Sequence, residues 1–313
     1  MMLNKLLNIK YPIIQGAMAN IATAEFAATV SNAGGLGVIG TGGMTVDKAR
    51  DQIRLCKSLT DKPFGVNVMM MNPNTPDMIA MICEEKVALV TLGAGNPGVY
   101  MEMLKNSGAK VFPVVPSVAL AIRLERSGAD GLIVEGTEAG GHVGEQTTMS
   151  LVPQVVKAVN IPVVAAGGIA DGRGFNAALS LGACGVQVGT CLLVADECPI
   201  HENYKQAVIN AKDTDTVVTG RSMNSPVRIL KNNMSREYLK LEKEAGSREE
   251  LEKLTLGALR RAVFDGDIKM GSVMMGQIAG LVSERKTVKE ILDDMIISAK
   301  AEIVNLNNKL EEI

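Results

Sequence analysis

Short apolar runs alternate with amphipathic stretches through the first two-thirds of the chain. Eight runs stand out: Pro12–Gln15, Leu36–Ile39, Phe64–Met69, Ala88–Thr91, Lys110–Val115, Gly131–Val134, Pro162–Ala165 and Gly185–Val188. They are apolar at nearly every position rather than at every second one, which predicts strands buried on both faces. Between them, 22–32, 46–58, 76–85, 98–107, 117–127, 149–159 and 172–181 carry helical spacing. Thr75-Pro76-Asp77 reads as a helix start, with a capping hydroxyl, a proline in the first turn and an acid behind it. Strict βα alternation predicts a parallel sheet, and eight units predict an α/β fold of the (β/α)₈, or TIM, barrel type. A doubly wound open sheet is the alternative, but it does not normally use eight such regular units.

The pattern changes after Thr190. Residues 197–270 are polar and charged, and no strand signal is visible in them. Ser247-Arg248-Glu249-Glu250 has capping-box spacing and predicts a helix running to about Phe264; Thr287-Val288-Lys289-Glu290 repeats the device before a final helix that ends in the polar tail Asn305–Ile313. The expected organisation is a barrel over 1–199, a mostly helical insertion or cap over 200–270, and a segment and helix over 271–313 that return to the barrel.

Composition narrows the function classes. The 313 residues are 47 % hydrophobic and 21 % charged, with 32 glycines and a formal net charge of −2. Such a balance gives no general attraction to nucleic acid or to an anionic membrane. No apolar run approaches the ~20 residues needed to span a bilayer, and MMLNKLLNIKYP lacks the build of a signal peptide. The five cysteines, at 56, 83, 184, 191 and 198, form no CxxC pair, and two histidines are too few for a zinc set. No metal site is expected, and scattered thiols suit a reducing cytoplasm.

Active sites of (β/α)₈ barrels lie at the C-terminal ends of the strands. The seventh and eighth predicted strands run into Ala166-Gly167-Gly168 and Gly189-Thr190. Glycines there let backbone N–H groups approach an anion, and two such loops in tandem match the usual phosphate site of the fold. The sixth strand runs into Glu135-Gly136-Thr137-Glu138-Ala139-Gly140-Gly141-His142-Val143-Gly144, four glycines around two glutamates and one of the two histidines. A titratable group in a loop that can approach a ligand makes His142 the candidate for chemistry. His201, in a polar stretch, reads as a surface residue. Glu135 and Glu138 are either an acid–base pair or groups that are solvated or bonded to a loop or cofactor hydroxyl. Asn67 ends a buried strand and needs a partner, either a cofactor ring edge or a loop carbonyl. The small-residue run Gly271-Ser272-Val273-Met274-Met275-Gly276-Gln277 could fold back over a flat cofactor.

PIIQGAMA, GTEAGGHVG, AAGGIADGR, QVGT, VTGRSMNSPVRILKN and MGQIAG together resemble the FMN-dependent enoyl-acyl-carrier-protein reductases of type II. These share a barrel superfamily with nitronate monooxygenases and NAD(P)H:quinone reductases, and EAGGH is common to the nitronate enzymes. The resemblance covers essentially the whole chain. It implies that Gly167, Gly168, Gly189 and Thr190 hold an FMN phosphate, with Ala166, Gln187 and Val188 beside them. Gly16, Ala17, Met18, Asn67, Glu135, Gly140 and Gly141 would contact the ring or ribityl part. Met275 and Gln277 would close over the flavin, and His142 would stand beside it as the catalytic residue. It further implies NADH as co-substrate, an enoyl chain on acyl carrier protein as substrate, fatty acid biosynthesis as the setting, a homodimer, and stimulation by a monovalent cation. Arg221, Arg228 and Lys231 are the candidates for docking an acidic carrier. On this reading the enoyl reductase leads, a nitronate monooxygenase or quinone reductase on the same FMN barrel is the alternative, and a non-catalytic flavin-binding barrel is the third possibility.

Overall fold

A computed structural model describes every residue except Ala94 and Asn96. Eight parallel strands form the barrel wall: β1 (Ile13–Gln15), β2 (Gly37–Gly40), β3 (Phe64–Met69), β4 (Leu89–Gly93), β5 (Lys110–Val115), β6 (Leu132–Glu135), then β8 (Val163–Ala166) and β9 (Gly185–Val188). A two-residue strand, β7 (Gly141–His142), lies inside the loop after β6 and belongs to a different sheet. Neighbours pair in the order β1-β9-β8-β6-β5-β4-β3-β2. A bridge between Ile14 and Leu36 closes the ring, with Gln15 N donating to Leu36 O at 2.9 Å and Leu36 N to Ile13 O at 2.9 Å. The TIM-barrel expectation holds.

Two apolar layers explain the closure. Ile14, Leu36, Val38, Leu89, Phe112, Ile133 and Val164 fill the interior, and Leu3 and Leu7 of the short helix α1 (Leu3–Leu7) join them. The backbone of Leu3 bonds to Cys184 O at 2.9 Å, so α1 seals the floor at the N-terminal end of the barrel. The alternate strand residues, among them Val66, Val90, Val111, Leu132 and Val186, face the surrounding helices and form the larger core. That double burial is why the strands read as continuous apolar runs.

The barrel helices are α2 (Ala24–Asn32), α3 (Val46–Leu59), α4 (Thr75–Glu85), α5 (Met101–Asn106), α6 (Val118–Arg126), α7 (Thr148–Ala158) and α8 (Gly172–Ser180). Side chains of Thr23, Thr45, Ser117 and Asp171 cap four of them by accepting from backbone N–H groups. The start of α4 departs from the sequence reading. Thr75 is its first helical residue, and its hydroxyl turns back to Asn72 O at 2.6 Å instead of capping. Stretch 98–107 divides into a 3₁₀ turn, Gly98–Tyr100, and α5.

Beyond β9 the chain continues through α9 (Glu202–Ile209), β10 (Thr216–Thr219), β11 (Val227–Leu230), α10 (Asn233–Lys243), α11 (Arg248–Thr255), α12 (Ala258–Arg260) and α13 (Val288–Glu311). The expectation of no strands here is corrected. Strands β10 and β11 form an antiparallel hairpin, and β11 pairs in turn with β7, placing Val227 opposite His142 and Arg228 opposite Gly141. Four-residue strands in a charged setting leave too short a pattern to register in sequence. Both capping boxes form, at Ser247/Glu250 and Thr287/Glu290. The first helix stops at Thr255, short of Phe264, because Gly257 takes a φ of +69°. Helix α13 packs on α8, where Ser298 Oγ accepts from Gly172 N at 3.1 Å and Asn176 donates to Ala299 O at 2.7 Å. Among the described residues no helix is long and apolar enough to cross a membrane.

Candidate active site

The C-terminal ends of the barrel strands surround a cavity of about 710 Å³. Its lining includes Gly16, Ala17, Met18, Asn67, Glu135, Gly140, Gly141, His142, Ala166, Gly167, Gly168, Gln187, Val188, Gly189, Thr190 and Met275. Of the site residues picked from sequence only Gln277 is absent from the wall; its side chain is exposed, while its backbone N donates to Glu138 O at 2.9 Å. Sequence reasoning did not single out Leu120, Leu259 and Ile278, which also line the space, whereas Met274 lies in the run expected to fold back over it. Leu259 and Ile278 come from the part of the chain beyond the barrel, and only tertiary packing brings them to the mouth.

One side of the cavity is built for an anion. Gly167 and Gly168 have φ of +94° and +73°, a conformation L side chains avoid, and a Cβ on Gly167 would stand 2.9 Å from Gly136 O. Among the described residues, the backbone N–H groups of Gly167, Gly168 and Gly189 have no internal acceptor. Successive free N–H groups in such turns make an anion-binding concavity.

The loop after β6 forms the facing wall. The two glutamates have separate fates. Glu138 accepts from Thr148 N at 2.9 and 3.0 Å through its two carboxylate oxygens, and from Thr148 Oγ1 at 3.0 Å, so it is a brace at the start of α7. Glu135 has no hydrogen bond or ion pair among the described residues, and burial pushes its carboxyl up to about 7. An acid–base pair is therefore not what the loop contains. His142 lines the cavity from β7, and desolvation lowers its imidazole below the ordinary value. Asn67 takes the structural option while lining the cavity: its Nδ2 donates to Thr91 Oγ1 at 3.0 Å and to Thr91 O at 3.3 Å.

The returning segment closes one flank. Gly276 N donates to Thr190 Oγ1 at 2.9 Å, Tyr204 Oη to Met274 O at 2.7 Å, and Leu230 N to Val273 O at 2.8 Å. It presses against Gly140, where a Cβ would lie 2.6 Å from the Met275 carbonyl carbon. That contact explains one of the loop's glycines by close approach alone.

Arg228 is a correction. It is buried at 6 % exposure, with Nε donating to Thr137 O at 3.1 Å and Nη1 to Thr216 Oγ1 at 3.1 Å. It cannot serve as a surface docking charge, whereas Arg221 and Lys231 are exposed. His201 is exposed, and its Nδ1 accepts from Asn203 N at 3.0 Å at the start of α9. All five cysteines are free thiols, and the described residues hold no group of three or more side chains able to ligate a metal.

A barrel with a phosphate-type cradle and a histidine-bearing loop at the mouth of a largely apolar cavity has the build of a cofactor-using enzyme, and its relatives place it among the oxidoreductases. The nitronate monooxygenase family model matches residues 1–81 and 75–298. A probable nitronate monooxygenase of Staphylococcus saprophyticus is 35 % identical over 96 % of this chain and 97 % of its own. The (3aS,4S,5R,7aS)-5-hydroxy-7a-methyl-1-oxo-octahydro-1H-indene-4-carboxyl-CoA dehydrogenase of Mycobacterium tuberculosis is 30 % identical over 95 % of both. Among solved structures, FabK from Thermotoga maritima is 46 % identical over 98 % of both chains, with a TM-score of 0.96. A nitroalkane oxidase from Streptomyces ansochromogenes is 26 % identical over 97 % of this chain and 99 % of that one, with a TM-score of 0.86. The chain belongs to the nitronate monooxygenase family.

Proposed function

We propose that this protein is an FMN-dependent enoyl-acyl-carrier-protein reductase that draws its electrons from NADH. The observation that carries the reading is the 46 % identity with FabK, an enoyl-acyl-carrier-protein reductase, across 98 % of both chains. Relatives named for nitronate and nitroalkane chemistry match at 35 and 26 %.

The residues present fit FMN. A cavity of 710 Å³ lies within the usual range of about 300–1,000 Å³ for small-molecule sites. The free N–H groups of Gly167, Gly168 and Gly189 suit a phosphate, and the glycine-lined space between β1, β6 and the returning segment suits a flat ring. When bound, the flavin would accept two electrons from NADH and supply hydride to the β-carbon of a trans-2-enoyl thioester. The protein's task is then proton delivery and charge. The enolate left on the substrate needs a proton at its α-carbon and a hydrogen-bond donor for its thioester oxygen. His142, whose side chain has no hydrogen-bond partner among the described residues, is free to donate an N–H hydrogen bond to the thioester oxygen. Met274, Leu259, Leu120 and Ile278 would exclude water from the acyl chain.

A nitronate monooxygenase is the second reading, favoured by the family model itself and by the EAGGH loop the two groups share. An anaerobic half-reaction separates them. Protein reduced by one equivalent of NADH is mixed with a crotonyl-carrier thioester while flavin absorbance is followed. Reoxidation with formation of the saturated thioester supports the enoyl reductase; no reoxidation, together with turnover of a nitronate in air, replaces it by the second reading.

A further inference from the structure

We propose that Arg228 is a positioning residue for His142, clamping the loop that carries the histidine onto the β10–β11 hairpin; this rests on the part given to His142 above. The cavity loop from Gly136 to Gly144 leaves the barrel and returns to it with only two residues in regular pairing, Gly141 and His142. Their partner is not a barrel strand but β11, the central strand of the separate sheet β10-β11-β7. Val143 N donates to Pro226 O at 3.1 Å and extends that seam by one bond. A two-residue strand is too short to hold its own register, since one slip turns every side chain to the opposite face.

The guanidinium of Arg228 supplies the missing fixture. It sits opposite Gly141 and spans from Thr137 O, at the start of the loop, to Thr216 Oγ1 on β10. Its side chain thus ties β10 to the start of the loop, while its backbone pairs with the Gly141 end of the segment leading to His142. The arrangement is expensive. A buried guanidinium loses hydration, and among the described residues Arg228 makes no ion pair within 4 Å. Glu138 is the acid whose charge favours it from further off. Packing alone would be served by an apolar residue of similar volume. What such a residue cannot do is hold the Thr137 carbonyl.

Because the chain has only two histidines, their ring signals can be followed one by one in a proton–carbon NMR spectrum of the flavin-loaded protein, with His142→Ala giving the assignment. In Arg228→Met the His142 ring signal should move or broaden and its titration should shift, while His201 stays unchanged. Arg228→Lys, which can still reach one carbonyl, should restore part of the change. Thr216→Val, which removes one anchor and leaves the guanidinium in place, should give a smaller shift and guards against a variant that fails to fold. Kinetically, Arg228→Met should slow the enoyl half-reaction by about ten- to a hundredfold, the usual effect of a small misplacement, and leave reduction by NADH within about twofold. In the His142→Ala background it should add almost nothing. A His142 signal unmoved by Arg228→Met, or losses that multiply in the double variant, would overturn the proposal. A His142→Ala protein as fast as the wild type would instead remove the role given to the histidine, and the clamp's purpose with it.

Discussion

Replacing Glu135 by Gln should change how stability depends on pH, and the structure sets both the sign and the size. The Glu135 carboxyl lines the cavity without a hydrogen bond or cation among the described residues, and burial pushes it from an ordinary 4.5 to about 7. Between those values the unfolded chain has released this proton and the folded one has kept it. The native state binds more protons, so stability falls as pH rises through the window and stays reduced above it. A gap of roughly 2.5 pH units, at about 1.36 kcal/mol each, makes the loss about 3 kcal/mol. His142 works in the opposite direction, because its imidazole is held below its ordinary value and stability falls as pH drops below about 6.5. Wild type and Glu135→Gln share that contribution, so their difference isolates the carboxyl. Thermal unfolding of the flavin-free proteins at pH 5 and pH 7.5 is the assay. Gln has nothing to ionise, so its advantage over Glu should grow by about 2.4 kcal/mol between the two conditions, since each lies only part-way along the titration. With an unfolding entropy of about 2.1 cal/mol/K per residue, that is about 4 °C in Tm for a chain of this length. A difference in Tm that stays flat from pH 5 to 7.5 would show that the carboxyl ionises freely and that the cavity around it is wetter than its geometry implies.

Three further perturbations probe the same architecture. Gly140→Ala puts a Cβ 2.6 Å from the Met275 carbonyl carbon; overpacking of this kind costs about 1–3 kcal/mol, and the displaced segment should release flavin more easily, measured as fluorescence on dilution. Thr190→Val removes the acceptor of Gly276 N and should lower unfolding free energy by about 1 kcal/mol in denaturant, with a larger effect on flavin retention than a Val placed at exposed Thr147. Reversing the charges of exposed Arg221 and Lys231 should raise KM for a carrier-linked enoyl substrate and leave a short thioester analogue untouched; equal effects on both would dismiss this face as the carrier's landing site.

The barrel was legible in the sequence because its strands are buried on both sides and therefore have unbroken apolar signatures. Phe64–Met69, Lys110–Val115 and Gly185–Val188 coincide with the observed strands residue for residue. The cavity residues were legible for a related reason: the fold sends the ends of its strands to one place, so reading those ends in order reads the wall. What escaped notice depends on contacts distant in sequence. Val227–Leu230 is a weak strand by itself and is stabilised by partners on both sides, one of them only two residues long. Arg228 looks like any surface cation until the fold shows that it reaches Thr137, 91 residues away. Glu138 looked equivalent to Glu135 until the start of α7 was seen to use it as a brace.

The sealed floor has a consequence for traffic. With Leu3 and Leu7 stopping the barrel below, and interior side chains filling it above them, nothing can pass through the ring from end to end. Every molecule that visits the cavity must come and go over the same rim. An electron donor and an electron acceptor that both need the cavity would have to queue at one doorway, each vacating it before the other enters.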